Sequence, residues 1–392
     1  CTTTAANSCV DASTLQGKVL FGYQGWFRAP GDGGSLGWVH WFRGQQPDSS
    51  HATFDLWPDT SEFPESELFP TNLTIGGAPA RLFSSIRPFT IQLHFKWMVD
   101  YKLDGILLQR FLAELKDPRF FAFRNNVTIQ VMKQAEATGR VFAIEYDFSG
   151  ANKDTFIQDV LQDWKFLTEE LKITQSRAYQ HHNGKPVVAL WGFGFTDHVG
   201  TASEAIQVIT EFKKTCTVIG GVPFFWRTSD RDSQPNFLQV YNTYDIISPW
   251  AVGRWKTPVD YQTKIFKTVQ DDFAYTKGKK LGYAPVMWPG FSWYNLQRGA
   301  APLNGVSRMG GSFFLTQAQK LTPMKPLFMK IAMFDEVDEG TAMFKAAATK
   351  RQAPDEGQFL YLNIDGKQLP SDYYLQLAQQ VTSSLKQEHN LE

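Results

Sequence analysis

Short apolar runs recur along the chain, each ending at Gly, Pro, Asp or an aromatic residue and each followed by a stretch with helical periodicity. The runs predict eight strands, over residues 18–23, 105–109, 141–146, 186–191, 218–225, 246–248, 281–287 and 327–333. Between them the 3.6-residue period predicts helices over 90–102, 127–138, 155–171, 202–214 and 258–277. A further periodic stretch, 369–385, reads as a closing helix, and loops over 28–50, 51–88 and 290–310 are long. Strands buried on both faces read as unbroken apolar runs, and right-handed crossovers make their sheet parallel. Eight such units predict an α/β fold, a (β/α)8 barrel. It forms one domain over residues 18–392, with 1–17 as an N-terminal extension and the long loops at the C-terminal face. A doubly wound open sheet is the competing solution, but no G-x-G-x-x-G fingerprint follows the first strand.

Composition narrows the partner. Lys plus Arg and Asp plus Glu both number 39, so no net field points to nucleic acid or to an anionic membrane. No apolar run is long enough to span a bilayer. A neutral ligand is expected, and the 12 Trp and 32 Phe supply flat apolar faces for one. The chain starts at Cys1 without Met, which reads as a processed soluble protein. The sequons at Asn72 and Asn126 lean toward secretion. Cys1 and Cys9 are placed to close a small disulfide loop, and Cys216 is expected as a buried free thiol. The molecule is expected to be a monomer without cofactor or metal.

Active sites of barrel enzymes lie where the strands end at the C-terminal face. Here those ends are acidic and aromatic. The third strand runs into Glu145, Tyr146 and Asp147, and the eighth into Asp335, Glu336, Val337, Asp338 and Glu339. The remaining ends carry Trp191, Trp226, Arg227, Trp250 and Trp288. Cleaving a glycosidic bond requires one carboxyl that gives a proton to the leaving oxygen and a second that acts as base or nucleophile. Four carboxylates within five residues are costly unless something uses or neutralises them. This makes Glu336 and Glu339 the candidate pair, with Glu145 in support. Tyr23, Trp26, Asp55, Trp57, Arg110, Tyr146, Asp147, Trp191, Trp226, Arg227, Trp250, Arg254, Trp288 and Asp335 are candidate substrate contacts. The acidic run lacks the alternating pattern of a calcium loop. The histidines form no H-x-x-x-H pair, and neither Ser149 nor Ser292 sits in a G-x-S-x-G elbow.

The segment Phe334-Asp-Glu-Val-Asp-Glu-Gly-Thr341 resembles the Asn-Glu-Trp-His-Glu-Gly-Thr signature of glycoside hydrolase family 99, the endo-α-mannosidases, and of the related family 71 and 99-like proteins. Tyr23-Gln-Gly-Trp-Phe27, Leu103-Asp-Gly-Ile106 and Ala143-Ile-Glu-Tyr146 are similar to other strand ends of that family, and the resemblance runs from about residue 18 to 345. It implies a secreted, retaining hydrolase of an oligosaccharide or polysaccharide, α-mannoside-like, working through a 1,2-anhydro sugar. Glu336 would act as base toward the 2-hydroxyl, Glu339 as acid and base, and Glu145 near the 2-hydroxyl. Asp335 departs from the signature Asn, and Val337-Asp338 from Trp-His. Two alternatives stand beside this one: a glycosidase of xylosidase or arabinosidase type with Glu336 as direct nucleophile, and a glycan-binding barrel without turnover.

Overall fold

The computed structural model describes residues 9–391. Cys1 falls outside them, and with it the expected Cys1–Cys9 bridge. Cys216 is a buried free thiol, as expected.

Eight parallel strands form the barrel: β1 (Lys18–Tyr23), β2 (Gly105–Phe111), β3 (Val141–Asp147), β4 (Lys185–Trp191), β5 (Thr217–Val222), β6 (Ile246–Pro249), β7 and β8 (Phe328–Ile331). β7 is interrupted, with Gly282–Tyr283 and Val286–Met287 as its two halves. The first half pairs with β6 and the second with β8, while β8 pairs with β1, so the sheet closes on itself. Every one of the eight predicted strands is present. The fifth stops at Val222 rather than residue 225, because Pro223 offers no N–H to the ladder.

Helices α1 (Pro88–Asp100), α2 (Pro118–Thr138), α3 (Phe156–Lys165), α4 (Ala202–Lys213), α5 (Phe266–Lys279), α6 (Ser312–Leu321) and α7 (Tyr373–Glu388) surround the barrel. α2 starts well before the predicted residue 127. Asp117 caps it by accepting from Arg119 N, and Pro118 fills the first turn, where no N–H is needed. α6 was not expected. Its buried stripe of Phe313, Gln317 and Leu321 includes a polar residue, and Gln317 is buried because it bonds both Trp288 N and Trp288 O. Within the loop 51–88, Phe69–Ile75 and Ala78–Leu82 form a hairpin across Gly76-Gly77, both at positive φ as a tight two-residue turn requires.

α7 is the expected closing helix. Lys386 Nζ lies 2.6 Å from Asp104 Oδ1, and Asp104 Oδ2 accepts from Val19 N, which ties the helix to the barrel floor. Residues 9–17 cross the same end: Gly17 N donates to Leu327 O and Leu15 is fully buried. Two glycines make room inside the barrel. A side chain at Gly22 would run into Met333, and one at Gly221 into the ring of Trp191, at 2.4 Å.

Candidate active site

The acidic segment leaves β8 and is pinned from four directions. Asp335 accepts from Gln24 N at 2.7 Å and Gly25 N at 2.8 Å. Val337 O accepts from Asp55 N, and Ser292 N donates to Glu339 O. Arg308, itself buried, donates to the carbonyls of Gly340 and Ala342. The loops after β1 and β7 therefore fix where the two glutamates stand.

Three N–H groups converge on Glu336. Asp338 N (2.7 Å) and Glu339 N (3.0 Å) reach one carboxylate oxygen and Gln24 Nε2 (3.2 Å) the other. Burial and the neighbouring Asp338 and Glu339 raise its pKa well above the ordinary range. The carboxyl of Glu339 receives no hydrogen bond from the described residues, and loss of solvent pushes its pKa up to about 7. Asp338 is raised in the same way, by burial first and then by Glu339. These carboxyls share protons instead of all ionising together. N–H donors favour a charged carboxylate, so at Glu336 they oppose the effect of burial, whereas Glu339 has no such donor among the described residues.

Aromatic faces stand at the same end of the barrel. Trp26 is half-buried and stacks on His40, with centroids 3.7 Å apart and planes 8° from parallel. Trp191 and Trp250, also half-buried, meet edge to face at 5.5 Å where β4 and β6 end. Asp147 lies on the same face of the barrel, its side chain accepting from Ser149 N and its pKa raised by burial to about 6.

Several expected contacts point the other way. Side chains alternate along a strand, so neighbours of inward residues face the helices. Glu145 is inward but is engaged by Lys330 Nζ, at 2.5 and 2.7 Å from its two oxygens, both side chains 2% exposed. Arg110 and Tyr146 are outward, and both bind Asp163 of α3. Tyr23 is outward as well, with its hydroxyl on His94 of α1. Trp226 and Arg227 both bind Asp272 of α5, and Trp288 packs on Phe313 and Trp255. Trp57 lies between Phe54 and Phe359, and Arg254 pairs with Asp232. Asp55 is fully buried and spends its carboxylate on Ser292 and on the N–H groups of Tyr294 and Asn295. The hydrogen bonds, ion pairs and ring contacts of these side chains tie the barrel to its helices and loops.

The structure adds residues that the sequence did not suggest. Gln24 and His40 join the acidic segment, and Lys330 sits beneath it. A lysine amid the apolar residues of the eighth strand was the one available signal. Ser149, His198 and Asp197 also come together, with Ser149 Oγ 3.1 Å from His198 Nε2 and His198 Nδ1 2.8 Å from Asp197. That order of contacts is the one an acyl-transfer triad uses. However, Ser149 N is spent on Asp147, whose carboxylate would repel an oxyanion, so the chain of bonds serves to tie the β3 and β4 loops.

The fold matches two structures of the glycoside hydrolase family 99 endo-α-mannosidase of Bacteroides thetaiotaomicron, each with a TM-score of 0.68 and 15% identity. They cover 97% and 96% of this chain and all of theirs. A glycoside hydrolase-like protein matches with a TM-score of 0.58 and 10% identity over 97% of both chains. No protein-family model and no curated protein sequence matches the chain. At these identities the likeness establishes a shared (β/α)8 barrel.

Proposed function

We propose that this protein is a retaining glycoside hydrolase acting on a neutral, α-mannoside-like glycan, with Glu336 as base and Glu339 as acid. The observation that carries the reading is the pairing of the two glutamates at the barrel mouth: three N–H donors converge on Glu336 and favour its carboxylate form, while Glu339, without donors among the described residues, has its pKa pushed up to about 7. One carboxylate and one carboxylic acid at working pH is what glycoside cleavage requires. Trp26, Trp191 and Trp250 supply the stacking faces, and the likeness to an endo-α-mannosidase supports the choice of sugar.

In the proposed reaction Glu336 takes the proton of the sugar 2-hydroxyl, and that oxygen attacks the anomeric carbon. Glu339 protonates the departing oxygen as the glycosidic bond breaks. Water then opens the 1,2-anhydro sugar at the anomeric carbon, losing a proton to Glu339, while Glu336 returns its proton to the 2-oxygen. Two inversions give net retention. Glu145, paired with Lys330, orders the barrel interior. Secretion belongs to the same proposal. Of the two sequons Asn72 is exposed, whereas Asn126 lies within α2 with its side-chain oxygen buried.

The test is a screen of wild type and Glu339→Gln against α-mannan, α-glucan, xylan and arabinan oligosaccharides, with product stereochemistry followed by NMR. Cleavage with retention, lost in the variant, supports the reading. Inversion overturns it, and so does binding without products. A 2-deoxy substrate that is still cleaved would move Glu336 to direct nucleophile.

A further inference from the structure

A continuous chain of contacts beside Glu336 carries polar atoms that none of the described residues satisfies. Gln24 Nε2 donates to Glu336, which accepts from Asp338 N; Asp338 Oδ2 lies 2.8 Å from His40 Nδ1, and His40 lies flat on Trp26. Along this chain Gln24 Oε1, Trp26 Nε1 and Asp338 Oδ1 are buried without a hydrogen-bond partner among the described residues. The His40 side chain is 26% exposed, and among the described residues its hydrogen bond runs through Nδ1 and none reaches Nε2. Leaving a buried polar atom without a partner is costly, and a native structure retains such a group when a ligand or water completes it. His40 also sits at φ 61°, a left-handed conformation that a residue other than glycine adopts rarely. One indole donor and two oxygen acceptors beside an open imidazole nitrogen form a set that hydroxyl groups complete, because a hydroxyl both donates and accepts.

We propose that His40 is a specificity-determining residue: its Nε2 hydrogen-bonds one hydroxyl of the pyranoside held against Glu336, with Asp338 fixing the ring through Nδ1 and Trp26 supporting its face. The inference rests on the glycoside hydrolase reading and deepens it. Burial raises Asp338 and pushes the His40 imidazole down to about 3, so a protonated Asp338 donates to Nδ1 and the ring proton stays on Nε2. The pair is then neutral, adds no charge beside the glutamates, and presents a donor to the sugar oxygen. In the signature that residues 334–341 resemble, the position of Asp338 is a histidine. Here the imidazole arrives instead from the loop after β1, and Asp338 holds it.

The experiment compares wild type, His40→Asn and Asp338→Asn on the oligosaccharide that wild type cleaves best among the four glycan classes above, and on its monodeoxy analogues. Asparagine tolerates the left-handed backbone; should His40→Asn melt early, His40→Gly replaces it. His40→Asn is expected to lower kcat/KM roughly 10- to 100-fold. Wild type should lose the same factor on one particular monodeoxy analogue, on which His40→Asn loses nothing further. Asp338→Asn, whose amide can donate to Nδ1 in the same way, should keep the wild-type ranking of analogues. If wild type cleaves and His40→Asn shows the wild-type penalty on every analogue, the role of His40 is overturned while the hydrolase reading stands. If wild type neither cleaves any of the four glycan classes nor binds them by calorimetry, the hydrolase reading falls and this inference falls with it.

Discussion

Lys330 Nζ contacts both carboxylate oxygens of Glu145 inside the barrel, in a pair from which water is excluded, and it lies 5.3 Å from the ring centre of Trp250. Removing one partner of such a pair strands a buried charge, at a cost of about 3–5 kcal/mol. Lys330→Met is therefore expected to destabilise by that amount in urea unfolding, and Lys330→Met with Glu145→Gln to recover most of it. Equal destabilisation in the single and double variants would show that the pair is not coupled.

Glu339 ionises at about pH 7 in the folded protein, against about 4.5 for an ordinary glutamate. A raised carboxyl pKa means that the folded state resists ionisation. The associated stability is complete below about pH 4.5 and is lost as pH rises through about 7. Glu339→Gln should accordingly raise the melting temperature by ~2–4 °C at pH 8 and leave it unchanged at pH 4. In wild type the same ionisation removes the acid, so kcat/KM should fall as pH rises above about 7. An activity flat from pH 6 to 9 would exclude Glu339 as the acid.

Asp335 accepts two backbone N–H groups from the loop after β1, and all of these groups are buried. Asp335→Ala leaves both donors without partners, at about 1–3 kcal/mol each, and frees Gln24 from its place beside Glu336. Loss of stability together with a fall in kcat is expected, while Asp335→Asn, which keeps one acceptor oxygen, should retain more of both. Calorimetric melting and steady-state kinetics check this.

Outward and inward residues should separate cleanly in kinetics. Tyr146→Phe and Arg227→Met remove bonds to Asp163 and Asp272 in the helix layer, so they should lower stability with KM within about twofold of wild type. Trp250→Ala removes a stacking face and is expected to raise KM roughly tenfold or more. A rise in KM for Tyr146→Phe would place that ring in the cleft after all.

The barrel was legible in the chain because its signal is local. Each strand is an apolar run bounded by residues that end strands, and each amphipathic helix repeats every 3.6 positions, so all eight strands could be placed from spacing alone. α6 escaped because its stripe contains Gln317, whose burial makes sense only beside the backbone of Trp288. The acidic segment was also legible, since four carboxylates after an apolar strand are electrostatically conspicuous wherever they fold. The direction of individual side chains was not. Glu145 and Tyr146 are adjacent in sequence and face opposite sides of the wall, and strand-end position does not tell the cleft side from the helix side. Nor could the sequence bring Gln24 to Glu336, His40 to Asp338 or Lys330 to Glu145, because those meetings join residues 312, 298 and 185 positions apart. The chain determined which groups are present and on which strands they ride; closure of the barrel decided which of them share water-free space, and in that space their charges and hydrogen bonds act on one another.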